Sequence, residues 1–166
     1  CILVNREGWR FVSEGSPNLG VALDERLPDG KLRHAPAWRI FDSRYSNRLS
    51  KAFAAKDPGF VRSADTIEAL AVKIGLDPNV LRATVDRFNG WSREGVDLDF
   101  HRGETAWEKH HSGGRALAPV AQPPFFAAPF LYASVGPKGG ARTNRYCQVL
   151  RPAGGVIASL YSDGLA

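Results

Sequence analysis

The middle of the chain carries apolar residues at helical spacing, whereas both ends carry short β-prone runs separated by Gly, Pro and charged residues. One helical series follows Asp65 and stops at Gly75, with apolar positions at Ile67, Leu70, Ala71 and Ile74. A second series begins at the capping pair Asp77-Pro78 and extends to Gly95, with a stripe of Leu81, Thr84, Val85, Phe88 and Trp91. The two series predict a helical hairpin.

The β-prone runs predict one or two small antiparallel sheets. Residues 2–5 and 9–12 are joined through Arg6-Glu7-Gly8, which predicts a hairpin at the start of the chain. Further strands are expected near Phe125 to Ser134 and at Cys147 to Leu150. Strands and helices that are largely segregated along the chain indicate an α+β fold.

The remaining segments predict one more helix and two long loops. The helix is expected after Asp42, through Tyr45 and Leu49 to Phe53, because Asp57-Pro58 ends the pattern. Segments 17–36 and 100–124 are rich in Gly, Pro and charged residues, so both are expected to be loops.

Composition and charge restrict the class of protein. Of 166 residues, 43% are hydrophobic and 23% charged, values that are typical of an ordered domain. The net charge of +5 favours anionic partners such as carboxylates, phosphates or nucleic acid. Prolines interrupt the apolar run 116–135, so no membrane span is expected. Cys1 and Cys147 lack C-x-x-C spacing, which favours a reducing, cytoplasmic setting.

A glycine-rich stretch, Gly136-Pro137-Lys138-Gly139-Gly140, stands out near the end of the chain. Arg142 and Asn144 follow it, then a short strand, a Gly154-Gly155 turn and a second apolar run. In such a layout the backbone can approach a flat or phosphorylated ligand closely. Lys138 is the leading candidate for ligand contact, since its small neighbours leave its ammonium and the nearby amides accessible. A plain surface turn is the alternative interpretation.

Five motifs, taken in chain order, carry a family resemblance: the opening runs with Ser13-Glu14, the segment Phe41-Asp42-Ser43-Arg44-Tyr45, the stretch 66–71, the stretch 75–78 and the closing glycine-rich stretch. Together they resemble the fumarate reductase and succinate dehydrogenase flavoprotein superfamily, and are most similar to its 3-ketosteroid dehydrogenase branch. The resemblance implies FAD as cofactor of the full-length protein, a small-molecule substrate, and hydride exchange with flavin at a C–C bond next to a carbonyl or carboxylate.

The chain contains no G-x-G-x-x-G fingerprint of the kind that binds FAD in such families. We therefore expect a fragment in which residues 1–128 form the substrate-side cap domain. Residues 129–166 would then return toward the FAD-binding domain of the same protein, which would be the partner of this segment. The fragment alone is expected to be inactive.

The resemblance also implies site residues. It places Arg44 where a cap arginine clamps a substrate carboxylate, and it assigns catalytic roles to Tyr132 and Lys138 as well. The proposed substrate contacts are Glu14, Phe126 and Arg142. The proposed flavin contacts are Gly139, Gly140, Asn144, Tyr161 and Gly164.

Two departures from the family pattern bear on the reaction. Lys138 and its neighbours replace the histidine that precedes the double glycine in dicarboxylate enzymes, and Phe126 replaces the tyrosine of a Pro-Phe-Tyr-Ala segment. The alternatives for Glu14 and Arg44 are a solvated turn glutamate and an exposed helix arginine.

Other classes of function find less support. His101, His110 and His111 do not have the spacing of zinc ligands, so no metal site is predicted. The positive charge leaves open a basic helical-hairpin module that binds nucleic acid, but acidic residues interrupt the arginines of its second helix. A catalytically inactive cap-like domain used for protein contacts is the third possibility.

Overall fold

A computed structural model of the chain describes residues 1–45, 59–131 and 140–162. The chain divides into two compact units, Cys1–Tyr132 and Ala133–Ala166. The predicted boundary at residue 128 separates a cap domain from a return segment. It concerns the function of these two parts and stays a prediction.

The first unit is built on a four-stranded antiparallel sheet with strand order β1-β2-β4-β3. Its strands are β1 Ile2–Val4, β2 Ala37–Asp42, β3 Arg62–Ala64 and β4 Phe125–Phe130. The last strand of the unit therefore lies inside the sheet, between β2 and β3. This order brings residues far apart in sequence onto the same sheet face.

Four helices of the first unit lie wholly within the described residues: α1 Leu19–Leu23, α2 Ile67–Lys73, α3 Pro78–Glu94 and α4 Ala106–Ser112. Helices α2 and α3 form the predicted hairpin, which is confirmed. The Thr66 side chain, and not Asp65, caps α2 by accepting a hydrogen bond from the backbone of Ala69. Asp77 caps α3 as predicted, and Gly95 ends it in the left-handed conformation.

The two faces of the sheet have different surroundings. Cross-strand partners share a face, and successive residues of a strand alternate between faces. One face contributes Ile2, Ile40 and Ala127 to the hydrophobic core that the sheet forms with α2 and α3. The opposite face carries the pair Leu3–Arg39 and the pair Phe41–Phe126. The candidate site lies on this second face.

A buried amide connects α3 to the segment that precedes β4. The side chain of Asn89 donates to the Val120 carbonyl at 2.9 Å and accepts from the Val120 amide at 2.7 Å. Both buried backbone groups of Val120 are thereby satisfied, as buried polar groups require.

Three sequence predictions in the first unit need correction. The expected hairpin over residues 2–12 is reduced to a single bridge between Val4 and Arg10, because β1 pairs with β2 instead. The expected loop 17–36 contains the short helix α1. The expected loop 100–124 contains α4, which Thr105 and Glu108 begin with a capping box.

Part of the predicted third helix falls outside the described residues. Ser43–Tyr45 are helical. The remainder of that prediction, through Leu49 and Phe53, lies in 46–58, which the structure does not describe.

The second unit contains a two-stranded antiparallel sheet of β5 Gln148–Leu150 and β6 Val156–Tyr161. The predicted strand at 147–150 is confirmed. Gly154 and Gly155 turn the chain between the strands with φ values of 94° and 85°, a conformation that glycine adopts without steric cost. None of the helices in the described ranges is long and apolar enough to cross a membrane.

Candidate functional site

A buried network of two arginines and two carboxylates connects distant parts of the first unit. Arg10 makes a two-point contact with Asp97, at 3.0 and 2.8 Å, and a second one with Glu14, at 3.0 and 2.9 Å. Arg102 donates to the same Glu14 carboxylate at 3.0 Å. The side chains of Arg10, Glu14 and Asp97 are at most 4% exposed. The network joins the opening loop to the residues that follow α3.

Aromatic rings complete the surroundings of the Arg10 guanidinium. Its carbon lies 4.7 Å from the centre of the Phe88 ring and 5.0 Å from that of Phe100. Such stacking stabilises a desolvated cation. Burial alone would raise the pKa of Asp97, but the hydrogen bonds and positive charge of Arg10 lower it below its usual value. Asp97 is therefore ionised in the folded chain.

We expect the free energy of unfolding to decrease as the pH falls from 6 to 3. Since the pKa of Asp97 is lower in the folded chain, its carboxylate stabilises the fold above the unfolded pKa near 4. That contribution is lost as the pH falls through the folded pKa. Urea unfolding at a series of pH values measures the effect. The variant Asp97→Asn lacks this carboxylate and should show a smaller slope, while a flat profile of the unmodified chain would contradict the expectation.

A cavity of about 250 Å³ lies beside this network. Its wall includes Leu3, Glu14, Arg39, Tyr45, Arg102 and Arg115. Leu3 and Arg39 belong to the sheet face opposite α2 and α3. The cavity thus combines an apolar floor with three guanidinium groups, a lining suited to a small polar ligand with an apolar body.

Glu14 was predicted to contact the substrate, and the structure places it in the cavity wall. Its carboxylate already accepts hydrogen bonds from the Leu3 amide at 2.9 Å, from Arg10 and from Arg102. The carboxylate therefore holds both guanidinium groups in place. Direct contact between Glu14 and a substrate stays a prediction.

Phe126 was also predicted to contact the substrate. Its ring stacks on that of Phe41, with the centroids 5.3 Å apart, and Tyr45 meets Phe41 edge-on at 5.8 Å. Phe41 is fully buried, Phe126 is half-buried and Tyr45 is 45% exposed. An aromatic cluster therefore lies on the same sheet face as Arg39, although the role of Phe126 toward a substrate stays a prediction.

Arg44, which was predicted to clamp a substrate carboxylate, is held at the end of β2. Its Nε donates to the Asp42 carboxylate at 3.0 Å, and its guanidinium also contacts the Pro119 carbonyl. Burial would raise the pKa of Asp42, but hydrogen bonds from Arg44 and from the amides of Ala121 and Gln122 lower it. The side chain of Arg44 is about half exposed, so its catalytic role stays a prediction.

The second unit holds several of the predicted cofactor and ligand contacts. Gly140 and Arg142 are exposed, and so is Tyr161 at the end of β6. The Asn144 side chain is engaged in its own turn: it accepts from the Tyr146 amide at 2.9 Å and donates to Gln148. The structure brings Arg142 beside β5, because its carbonyl accepts from the Leu150 amide.

Four predicted residues lie outside the described residues: Tyr132, Lys138, Gly139 and Gly164. Two predicted flavin contacts in the described part of the second unit are exposed: the backbone of Gly140 and the ring of Tyr161. Backbone amides and an aromatic ring are groups that a diphosphate and a flavin ring can use, so these residues are compatible with FAD.

A second cavity of the first unit, of about 400 Å³, lies beside the segment that contains His101. Its wall includes Ser13, Pro17, Phe100 and His101, and the His101 ring pairs with Glu104 at 3.1 Å. His110 and His111 belong to α4, where the His111 ring stacks on Trp107. Within the described ranges, His, Cys, Asp and Glu side chains form no group of three or more that could hold a metal ion.

Three arginines of the first cavity were not predicted from the sequence as site residues: Arg39, Arg102 and Arg115. One local signal was present: Arg39 interrupts the apolar run of β2, and a charge in such a run often faces a site. Arg102 and Arg115 lie in the segment that was expected to be an irregular loop. Their meeting with Arg39 depends on tertiary structure.

Residues 1–164 match the FAD binding domain family. The chain belongs to this family of flavoproteins. The finding confirms the resemblance to the fumarate reductase and succinate dehydrogenase superfamily, and it indicates FAD as the cofactor.

Two relatives with named activities are similar to nearly the whole of this chain. The chain is 35% identical over 184 residues to a 3-oxosteroid 1-dehydrogenase of Mycobacterium tuberculosis, covering 98% of this chain and 32% of the relative. It is 34% identical over 177 residues to a 4-oxocyclohexanecarboxylate 2-dehydrogenase of Sinomonas cyclohexanicum, covering 99% and 31%. The chain spans about a third of the length of these relatives.

A solved structure has the same fold. The crystal structure of a 3-ketosteroid delta1-dehydrogenase from Sterolibacterium denitrificans, in complex with 1,4-androstadiene-3,17-dione, matches with a TM-score of 0.73 and 28% identity. The match covers 97% of this chain and 32% of that one. The mixed α/β architecture with small antiparallel sheets therefore matches about a third of that enzyme's chain.

Proposed function

We propose that this chain is the substrate-side cap segment of an FAD-dependent dehydrogenase that acts on a C–C bond next to a ring ketone. The observation that carries the proposal is the cavity on the sheet face opposite α2 and α3, where guanidinium groups and Tyr45 lie above an apolar floor. The relatives named for 3-oxosteroid and 4-oxocyclohexanecarboxylate dehydrogenation support the choice of a ring ketone. The partner of this segment is the remainder of the same protein, including its FAD-binding domain.

The residues of the cavity would bind and orient the substrate. Guanidinium groups of Arg39 and Arg115 can donate hydrogen bonds to a carbonyl or carboxylate oxygen. The exposed Tyr45 hydroxyl can donate to a ketone oxygen, which makes the neighbouring C–H more acidic. The chemistry that FAD supplies, when bound, is the acceptance of the hydride from the adjacent carbon. Gly140, Asn144 and Tyr161 are the described residues that would contact FAD, and Arg142 would contact the substrate.

An absorbance measurement tests this proposal. The full-length protein, loaded with flavin, is mixed without oxygen with a 3-oxosteroid or with 4-oxocyclohexanecarboxylate. We expect at least one of the two to bleach the oxidised-flavin band, because a dehydrogenated substrate leaves its hydride on the flavin. Tyr45→Phe should slow the bleaching by about a hundredfold or more, the usual size of an acid–base contribution. Absence of bleaching with both ketones would contradict the proposal.

The arrangement of charges in α3 disfavours the nucleic-acid alternative. Arg82 pairs with Asp86 at 2.8 Å, and Arg87 pairs with Asp99 at 2.6 Å. These arginines are therefore neutralised by carboxylates and do not form a basic face that phosphates could approach. The similarity to dehydrogenases also gives no support to an inactive interaction domain.

A further inference from the structure

The cavity on the sheet face opposite α2 and α3, together with the adjoining network, carries an excess of positive charge. Four arginines, Arg10, Arg39, Arg102 and Arg115, face two carboxylates, Glu14 and Asp97, which leaves an excess of two positive charges. The Glu14 and Asp97 carboxylates already form ion pairs with Arg10 and Arg102, at N–O distances of 2.8 to 3.0 Å. Arg39 and Arg115 have no carboxylate partner among the described residues.

The surroundings of Arg39 indicate which kind of ligand could balance this excess of positive charge. Arg39 lies in the middle of β2 and is only half-exposed, and its guanidinium carbon lies 4.8 Å from the centre of the Phe130 ring. When a guanidinium stacks on an aromatic ring, its N–H groups still point outward in the guanidinium plane and can donate hydrogen bonds. A partly desolvated cation of this kind favours an anion with which it can form charge-assisted hydrogen bonds.

The size of the cavity limits what can fill it. Its 250 Å³ lies just below the range of about 300–1,000 Å³ that is usual for sites of drug-sized ligands. The apolar wall includes Leu3 and Leu19. A single aliphatic ring with one anionic group matches this volume and lining better than four fused neutral rings do.

We infer that this cavity selects a small ring ketone that carries a carboxylate, with Arg39 and Arg115 binding the carboxylate. The inference rests on the proposed function, whose substrate class it narrows. Arg102 helps indirectly, since Glu14 fixes its guanidinium in the wall at 3.0 Å. Neutral ketosteroids are then expected to be poor ligands, because they would leave the guanidinium groups without an acceptor.

Calorimetric titration of the flavin-loaded protein tests the inference. The probes are 4-oxocyclohexanecarboxylate, its methyl ester and inorganic phosphate. We expect the acid to bind about tenfold to a hundredfold more tightly than the ester, which is the worth of a charge-assisted hydrogen bond. Arg39→Gln and Arg115→Gln should each remove most of that difference, because they weaken binding of the acid far more than binding of the ester. Arg39→Lys keeps the charge and should lose less.

The control is Arg93→Gln, which removes an exposed arginine from the last turn of α3 and should bind the acid as the unmodified protein does. Equal affinity for acid and ester, or full displacement of the acid by phosphate, would overturn the inference. Bleaching of the flavin by a neutral ketosteroid without binding of the acid would also overturn it, while leaving the proposed function intact. Tight binding of the acid with no bleaching by any ring ketone would support the anion site and contradict the proposed function.

Discussion

Replacing Asp97 with alanine is expected to reduce the free energy of unfolding by about 3–5 kcal/mol, the usual cost of breaking a buried ion pair. The carboxylate is fully buried and makes two hydrogen bonds with Arg10, at 3.0 and 2.8 Å. Its loss leaves a guanidinium with 4% exposure paired to Glu14 alone. Urea unfolding followed by circular dichroism measures the change.

The matched control for this substitution is Asp86→Ala. Asp86 pairs with Arg82 at a similar distance, 2.8 Å, but both side chains are about half exposed. An exposed pair contributes about 0–1 kcal/mol, so the control should change the unfolding free energy little. If the two variants lost the same amount, burial of the network would not be the source of its effect.

The second large effect is expected at Phe88, where replacement by alanine should cost about 3–5 kcal/mol. The ring is fully buried in the core between sheet and helices. It also supports the guanidinium groups of Arg10 at 4.7 Å and of Arg102 at 5.8 Å. The substitution therefore leaves a cavity and removes the ring face that stabilises both cations.

Two further variants separate these contributions. Phe88→Leu keeps an apolar side chain but removes the ring face, so we expect a smaller loss, about 1–2 kcal/mol. Val72→Ala changes an exposed apolar side chain of α2 and should stay within about 0.5 kcal/mol of the unmodified chain. Thermal and urea unfolding of the variants provide the test, and a loss below 1 kcal/mol for Phe88→Ala would contradict the expectation.

Sequence periodicity predicted the elements that are stabilised by local signals. The spacing of Leu81, Val85 and Phe88, together with the cap at Asp77, was enough to place α3. Strand β2 was missed because both of its faces are covered, so its sequence does not alternate between apolar and polar residues. The helix predicted after its last residue, Asp42, does begin there, since Ser43–Tyr45 are helical.

The candidate site was predicted less completely than the fold. Glu14 was singled out from its place after the opening runs, but its partner Arg102 lies 88 positions away and the Arg10 partner Asp97 lies 87 positions away. No local pattern connects such residues. Asp97 was not predicted as a site residue, because a single sequence does not distinguish a carboxylate in a buried ion pair from a solvated one.

The strand order has a consequence for biosynthesis. Strand β4 is the last of the first unit to leave the ribosome, yet it pairs with both β2 and β3. Until residue 130 has emerged, the nascent α2–α3 hairpin lacks the part of the hydrophobic core that Phe125 and Ala127 provide. A ribosome that paused before that point would present an incomplete sheet with unpaired edges, a species open to chaperones and to aggregation.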